Sequence, residues 1–145
     1  MCKAFFLLSM TLFLTSCYTE TQKPDYKFMN KIKELSKLDS SLLTTIILSP
    51  KKQYYGKIKH TDKLRGSFYI KNSGAIDFNI YSIKSNCDCI QVEYTDTKII
   101  HPNDSLLVKY QMQTKNISGN FQNTIIAIGN CKNGNQTYYF EGSFY

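Results

Sequence analysis

A chain of 145 residues with 42% hydrophobic and 14% aromatic side chains can bury one core and not two, which predicts a single domain plus extras. Its net charge of +7 comes from lysines spread between Lys23 and Lys132 with a single arginine, Arg65. That is a solvated basic surface and not the gathered Lys/Arg face of a nucleic-acid binder, so no nucleic-acid partner is expected. Eleven Tyr and nine Phe beside many Ile, Thr and Val favour sheet over helix, because branched and aromatic side chains pack well on a pleated surface.

The N-terminus reads as a targeting signal. Lys3 precedes an apolar run from Ala4 to Leu14, too short for the roughly 20 residues that span a bilayer. Leu14-Thr15-Ser16-Cys17 then resembles a bacterial lipobox. The resemblance implies that signal peptidase II removes residues 1–16, that Cys17 carries the lipid, and that the chain is held to a membrane of the cell envelope, the outer one in a Gram-negative source. Two or three acyl chains, at about 0.8 kcal/mol per buried methylene, make such an anchor nearly permanent.

Residues 17–49 are expected to link the anchor to the domain. Pro24-Asp25 offers a helix start, and Phe28, Ile32 and Leu35 at helical spacing predict one short amphipathic helix from about Asp25 to Leu38. Leu42 to Leu48 is a branched apolar run suited to a first strand, and Pro50-Lys51-Lys52 marks the expected entrance to the main domain, residues 50–145.

Short strands then follow at spacings near ten residues. Tyr54 to His60 is one; in Leu64 to Lys71, Phe68 and Ile70 face opposite to Tyr69 and Lys71, before Asn72-Ser73-Gly74 turns the chain. Ile76, Phe78 and Ile80 alternate, but Ile83 is out of phase, which predicts a bulge near Tyr81 and Ser82. Ile90 to Tyr94, Leu106 to Met112 and Phe121 to Ile128 continue the series. Asn133-Gly134, the strongest hairpin signal, leads to Tyr138, Phe140 and Phe144. About seven strands predict an all-β fold, an immunoglobulin-like antiparallel sandwich in Greek-key order.

Five signatures then point to a family: Gly56-Lys57-Ile58; Gly66-Ser67-Phe68-Tyr69-Ile70-Lys71-Asn72-Ser73-Gly74; Ile83-Lys84-Ser85-Asn86-Cys87-Asp88-Cys89; Ile100-His101-Pro102-Asn103-Asp104-Ser105; and Gly119-Asn120-Phe121. Together they resemble the bacterial family called domain of unknown function 1573. The resemblance implies an immunoglobulin-like domain in exported, often lipidated proteins, without a common activity. Two positions depart from the family pattern. Asp88 stands where a glycine is usual, and Asn103 where Pro-Gly is usual.

The cysteines are the candidate chemistry. Without Cys2, lost with the signal, and Cys17, lipidated, the odd set Cys87, Cys89 and Cys131 remains. Residues two apart in an extended strand have Cα atoms about 6.6–7.2 Å apart, at or beyond the disulfide range of about 4.4–6.8 Å, so a Cys87–Cys89 bridge requires a local turn. Three readings stand for Cys87 and Cys89: structural, redox-active or metal-binding. Cys131 is expected at the opposite end of the sandwich. His60 and His101 read as exposed turn or strand-end residues, and no metal site is assigned.

Gly-x-Ser-x-Gly, His-Glu-x-x-His and phosphate-loop motifs are absent from the sequence, and no cofactor or catalytic residue is assigned. The expectation is a lipid-anchored, non-enzymatic module of the envelope, binding an envelope protein partner through strand edges and outward tyrosines such as Tyr55, Tyr69 and Tyr139. The alternative is a thiol redox or metal-handling protein built on Cys87 and Cys89.

Overall fold

The computed structural model describes residues 30, 33, 34, 37, 39–60, 63–115 and 117–145. The signal segment, Cys17 and most of the helix expected over Asp25 to Leu38 lie outside these residues. Just ahead of the sheets stands a 3-10 turn, Ser40–Leu42, capped by Asp39, whose carboxylate accepts the Ser41 N–H at 3.0 Å.

Among the described residues the chain forms nine strands: β1 Ile46–Ser49, β2 Lys52–Ile58, β3 Lys63–Asn72, β4 Phe78–Ser85, β5 Ile90–Glu93, β6 Ile99–Ile100, β7 Ser105–Gln113, β8 Gly119–Gly129 and β9 Gln136–Phe144. They make two sheets, a four-stranded one in the order β1-β3-β7-β5 and a five-stranded one in the order β2-β9-β8-β4-β6. The pairs are antiparallel except β2 with β9. The all-β sandwich expected from the sequence is therefore present, with more strands than seven. The strand expected within Leu42 to Leu48 joins one sheet as β1 and the strand expected from Tyr54 joins the other as β2, with a cis Ser49–Pro50 peptide between them. The added strand is β6, whose two residues are too few to leave a periodic signal. Because β1 pairs with β3 and buries Ile46 and Leu48, the sandwich starts at Ile46, ahead of the boundary expected at residue 50.

Alternation decides what goes inside. In β3, Leu64, Phe68 and Ile70 point inward while Arg65, Ser67, Tyr69 and Lys71 point out. In β7, Leu106, Val108, Tyr110 and Met112 do the same. The expected phase slip is real: pairing of β4 with β8 shifts between Ile80 and Ser82, and this lets both Ile80 and Ile83 reach the core. Aromatic rings fill the middle. Phe68 stacks on Tyr138 at 4.2 Å between centroids, Phe121 on Phe144 at 4.9 Å, and Tyr110 lies tilted against Phe140 at 4.5 Å. Each fully buried large side chain contributes about 1.5–3 kcal/mol relative to exposure.

Buried polar groups are paired throughout the described residues. The phenols of Tyr55, Tyr110 and Tyr138 form a chain, with Tyr55 to Tyr110 at 2.8 Å and Tyr110 to Tyr138 at 3.1 Å. Tyr55 donates its one proton to the Arg65 carbonyl at 3.0 Å. Since a phenol has a single proton, Tyr110 must then donate to Tyr55 and Tyr138 to Tyr110. Burial pushes all three phenols up from their ordinary range, so they stay protonated. Gly66 makes room for this chain, because a Cβ there would collide with the hydroxyls of Tyr110 and Tyr55.

The β8–β9 connection differs from the tight hairpin that Asn133-Gly134 suggests. Only Gly134 has a positive φ, of 73°, and β9 does not begin until Gln136. The longer path lets the loop hold the incoming chain: Lys132 N–H donates to the Thr44 carbonyl at 2.7 Å and Asn133 Nδ2 to the Ile46 carbonyl at 3.1 Å.

Candidate functional site

The chain leaves the five-stranded sheet at Ser85 and enters the four-stranded one at Ile90, and the corner between them carries the two candidate cysteines. Cys87 and Cys89 are joined by a disulfide with a Cα separation of 5.1 Å. The turn that makes this possible is closed by the Ile90 N–H donating to the Cys87 carbonyl at 3.1 Å, with the Ser85 hydroxyl donating to the same oxygen at 2.8 Å. Asn86 ties the corner to β8, exchanging hydrogen bonds with the Thr124 backbone at 3.1 and 2.9 Å, and the Gln113 N–H ties it to β7 through the Cys89 carbonyl at 2.8 Å. Both cysteines are half-buried and pack on the core, while Asp88 is exposed. Asp88 is not in the left-handed region, so the turn as folded does not demand the glycine usual there. Asn103 is the one non-glycine among the described residues that is, at φ 68°, which asparagine tolerates.

In the bridged form neither sulfur is a nucleophile or a metal ligand, and the disulfide can act only as an acceptor for an attacking thiolate. Among the described residues no group of three His, Cys, Asp or Glu is placed to hold a metal ion. Both histidines have structural partners. His60 Nε2 lies 3.0 Å from the Thr114 carbonyl, and His101 Nδ1 lies 2.8 Å from the Asp77 carboxylate, which raises the pKa of His101. Cys131 is at the opposite end of the sandwich, buried and unbridged, with its Sγ against Asn133 Oδ1; burial raises its pKa and keeps it a thiol.

The three outward tyrosines expected from the sequence are not alike. Tyr69 on β3 is 49% exposed and Tyr139 on β9 is 38% exposed, on the outer faces of different sheets. Tyr55 is only partly buried: its ring turns toward Phe121 and its hydroxyl belongs to the phenol chain. The cause is Gly56, whose φ of 67° accompanies a register shift between Tyr54 and Lys57 and reverses the phase of the strand. Tyr54, 69% exposed, takes the outward place. A glycine inside a strand pattern is the sequence signal for such a bulge, and it was available at Gly56.

The sandwich and its corner coincide with one family model, described as protein of unknown function (DUF1573), which matches residues 46–144. The chain belongs to the DUF1573 family. No curated protein matches it. Several solved structures resemble this DUF1573 domain in fold. A protein of unknown function from Porphyromonas gingivalis W83 is 14% identical with a TM-score of 0.62, over 74% of this chain and 50% of that one, so the present chain spans half the length of that protein. The ASH/PapD-like domain 7 of human CEP192 is 7% identical with a TM-score of 0.55, over 75% and 91%. A family 123 glycoside hydrolase from Clostridium perfringens is 8% identical with a TM-score of 0.52, over 79% and 24%. At these identities the likeness establishes a shared sandwich architecture and nothing of activity.

Proposed function

We propose that this DUF1573 protein is an exported, lipid-anchored module of the bacterial cell envelope that acts by binding and performs no catalysis. The observation that carries the binding reading is the division of polar and aromatic groups. The buried polar side chains of the described residues are all paired with one another or with backbone, while Tyr54, Tyr69 and Tyr139 stand exposed on a rigid sheet scaffold. Anchoring rests on the lipobox-like Leu14 to Cys17, and a bridged Cys87–Cys89 suits an oxidising compartment outside the cytoplasm. Metabolic labelling with a palmitate analogue is expected to mark the wild-type protein and to leave Cys17→Ala unlabelled; label retained on that variant would remove the anchor at Cys17. Crosslinking in intact envelopes, followed by identification of what is captured, is expected to recover a protein partner.

A second reading is favoured by the half-buried disulfide at the corner. In thiol–disulfide exchange a partner dithiol would attack it, the Cys87–Cys89 bond would break, both sulfurs would take up protons, and the partner would leave as a disulfide. Substitution of both Cys87 and Cys89 by Ser separates the readings. Partner capture that survives the double substitution supports binding, and capture abolished by it in a stably folded protein supports exchange.

A further inference from the structure

Tyr54 borders a depression whose chemistry narrows the choice of ligand. On the outer side of the five-stranded sheet, a shallow hollow of about 400 Å³ lies between Tyr54 and the polar side chains Asn120, Gln122, Glu141 and Ser143. Its size is within the roughly 300–1,000 Å³ typical of small-ligand sites. The residues come into line because β2, β9 and β8 are neighbours: Tyr54 is opposite Glu141, and Glu141 is opposite Gln122. Lys52 Nζ at 2.7 Å and Gln122 Nε2 at 3.4 Å fix the direction of the Glu141 carboxylate. A carboxylate has about four lone-pair sites, so acceptor capacity remains, and the amides of Asn120 and Gln122 with the Ser143 hydroxyl present both donors and acceptors.

These groups suit a ligand that donates and accepts in alternation along one edge and offers a flat C–H face on another. The positive C–H face of a pyranose ring complements the negative π-face of an exposed tyrosine, and its vicinal hydroxyls complement side-chain amides and a carboxylate. An anion is disfavoured by the Glu141 carboxylate in the lining, with which Lys52 is already paired. An apolar ligand would leave the amides and carboxylate without partners. Asn120 opens β8 and Ser143 is near the close of β9, at the end of the sandwich remote from Thr44, where the N-terminal segment enters beside Cys131.

We propose that the hollow formed by Tyr54, Asn120, Gln122, Glu141 and Ser143 binds a sugar ring of an envelope or extracellular polysaccharide. This rests on the binding reading above and gives it a ligand class. The test is saturation-transfer NMR on the full chain in detergent micelles. Two probes, a β-linked N-acetylglucosamine tetrasaccharide and a neutral glucan tetrasaccharide, distinguish an amino-sugar strand from a neutral glucan as the source. At least one is expected to bind, at least tenfold more weakly to Tyr54→Ala and several-fold more weakly to Glu141→Gln. Tyr94→Ala, at the exposed end of β5 on the other sheet, is expected to bind as the unsubstituted chain does. Tyr54 is largely exposed, so the Tyr54→Ala protein should melt at an unchanged temperature. Equal binding by Tyr54→Ala, or an equal loss in Tyr94→Ala, overturns the proposal. So does failure of both sugars to bind; a protein partner still captured by crosslinking would then leave the binding reading standing, and its absence would discard both.

Discussion

Asn72 shows how much one side chain can organise when it is fully buried. Its Oδ1 accepts from the Thr44 hydroxyl at 2.8 Å and the Gly74 N–H at 3.1 Å, and its Nδ2 donates to the Ile76 and Ile100 carbonyls, both at 2.8 Å. Asn72→Ala strands those carbonyls and the Thr44 hydroxyl, and is expected to cost on the order of 3 kcal/mol in urea unfolding, since each buried unsatisfied group costs about 1–3 kcal/mol. A loss under 1 kcal/mol would mean that the site relaxes or admits water. The sequence marks Asn72 as a turn residue through its neighbours Ser73 and Gly74, but two of its partners, Thr44 and the Ile100 carbonyl, come from segments 28 residues away on either side, and only the assembled sheets bring them together. His101 is a milder case. The exposed pair with Asp77 raises its pKa above the ordinary 6.5, so the attraction is fully present below that value and fades as pH rises through the raised pKa. An NMR titration is expected to place the His101 midpoint above 6.5 and to return it toward that value in Asp77→Asn.

Single elements show where reading by period succeeds and where it stops. In β3 and β7 the two-residue period holds without interruption, and inward and outward residues were legible directly. In β4 the break in period itself disclosed the bulge at Ile80 to Ser82. β2 misled because its phase reverses within the strand: Tyr55 and Tyr54 are equal candidates for the outside until Gly56 is recognised as a left-handed position. The corner between β4 and β5 was legible as a turn with a cysteine pair, while the disulfide itself depended on a 5.1 Å approach that no spacing rule gives. Because that bridge closes a loop of only three residues, it removes little chain entropy. Cys87→Ser with Cys89→Ser is expected to cost about 1.5 kcal/mol, measured by denaturant unfolding under oxidising conditions. A cost above about 4 kcal/mol would show that the bridge holds the two sheets together in a way the hydrogen bonds of Asn86 and Cys89 do not.

For the molecule as a whole, length, aromatic content and strand spacing sufficed for a one-core sandwich, because those properties survive averaging over the chain. The allocation of strands to sheets did not, since the consecutive β1 and β2 go to different layers and β2 joins β9 in parallel. The hollow beside Tyr54 was equally invisible, being assembled from β2, β8 and β9 together. The entry of the chain at Thr44 has a mechanical consequence. Thr44 donates its N–H to the Asn130 carbonyl at 2.9 Å, accepts from Lys132 N–H at 2.7 Å, and is followed by β1, which runs antiparallel to β3 over four residue pairs. A pull on the N-terminal side therefore loads β1 along its own axis. Its ladder bonds bear the force side by side instead of opening one after another, and the grip on Thr44 passes part of the load into the second sheet.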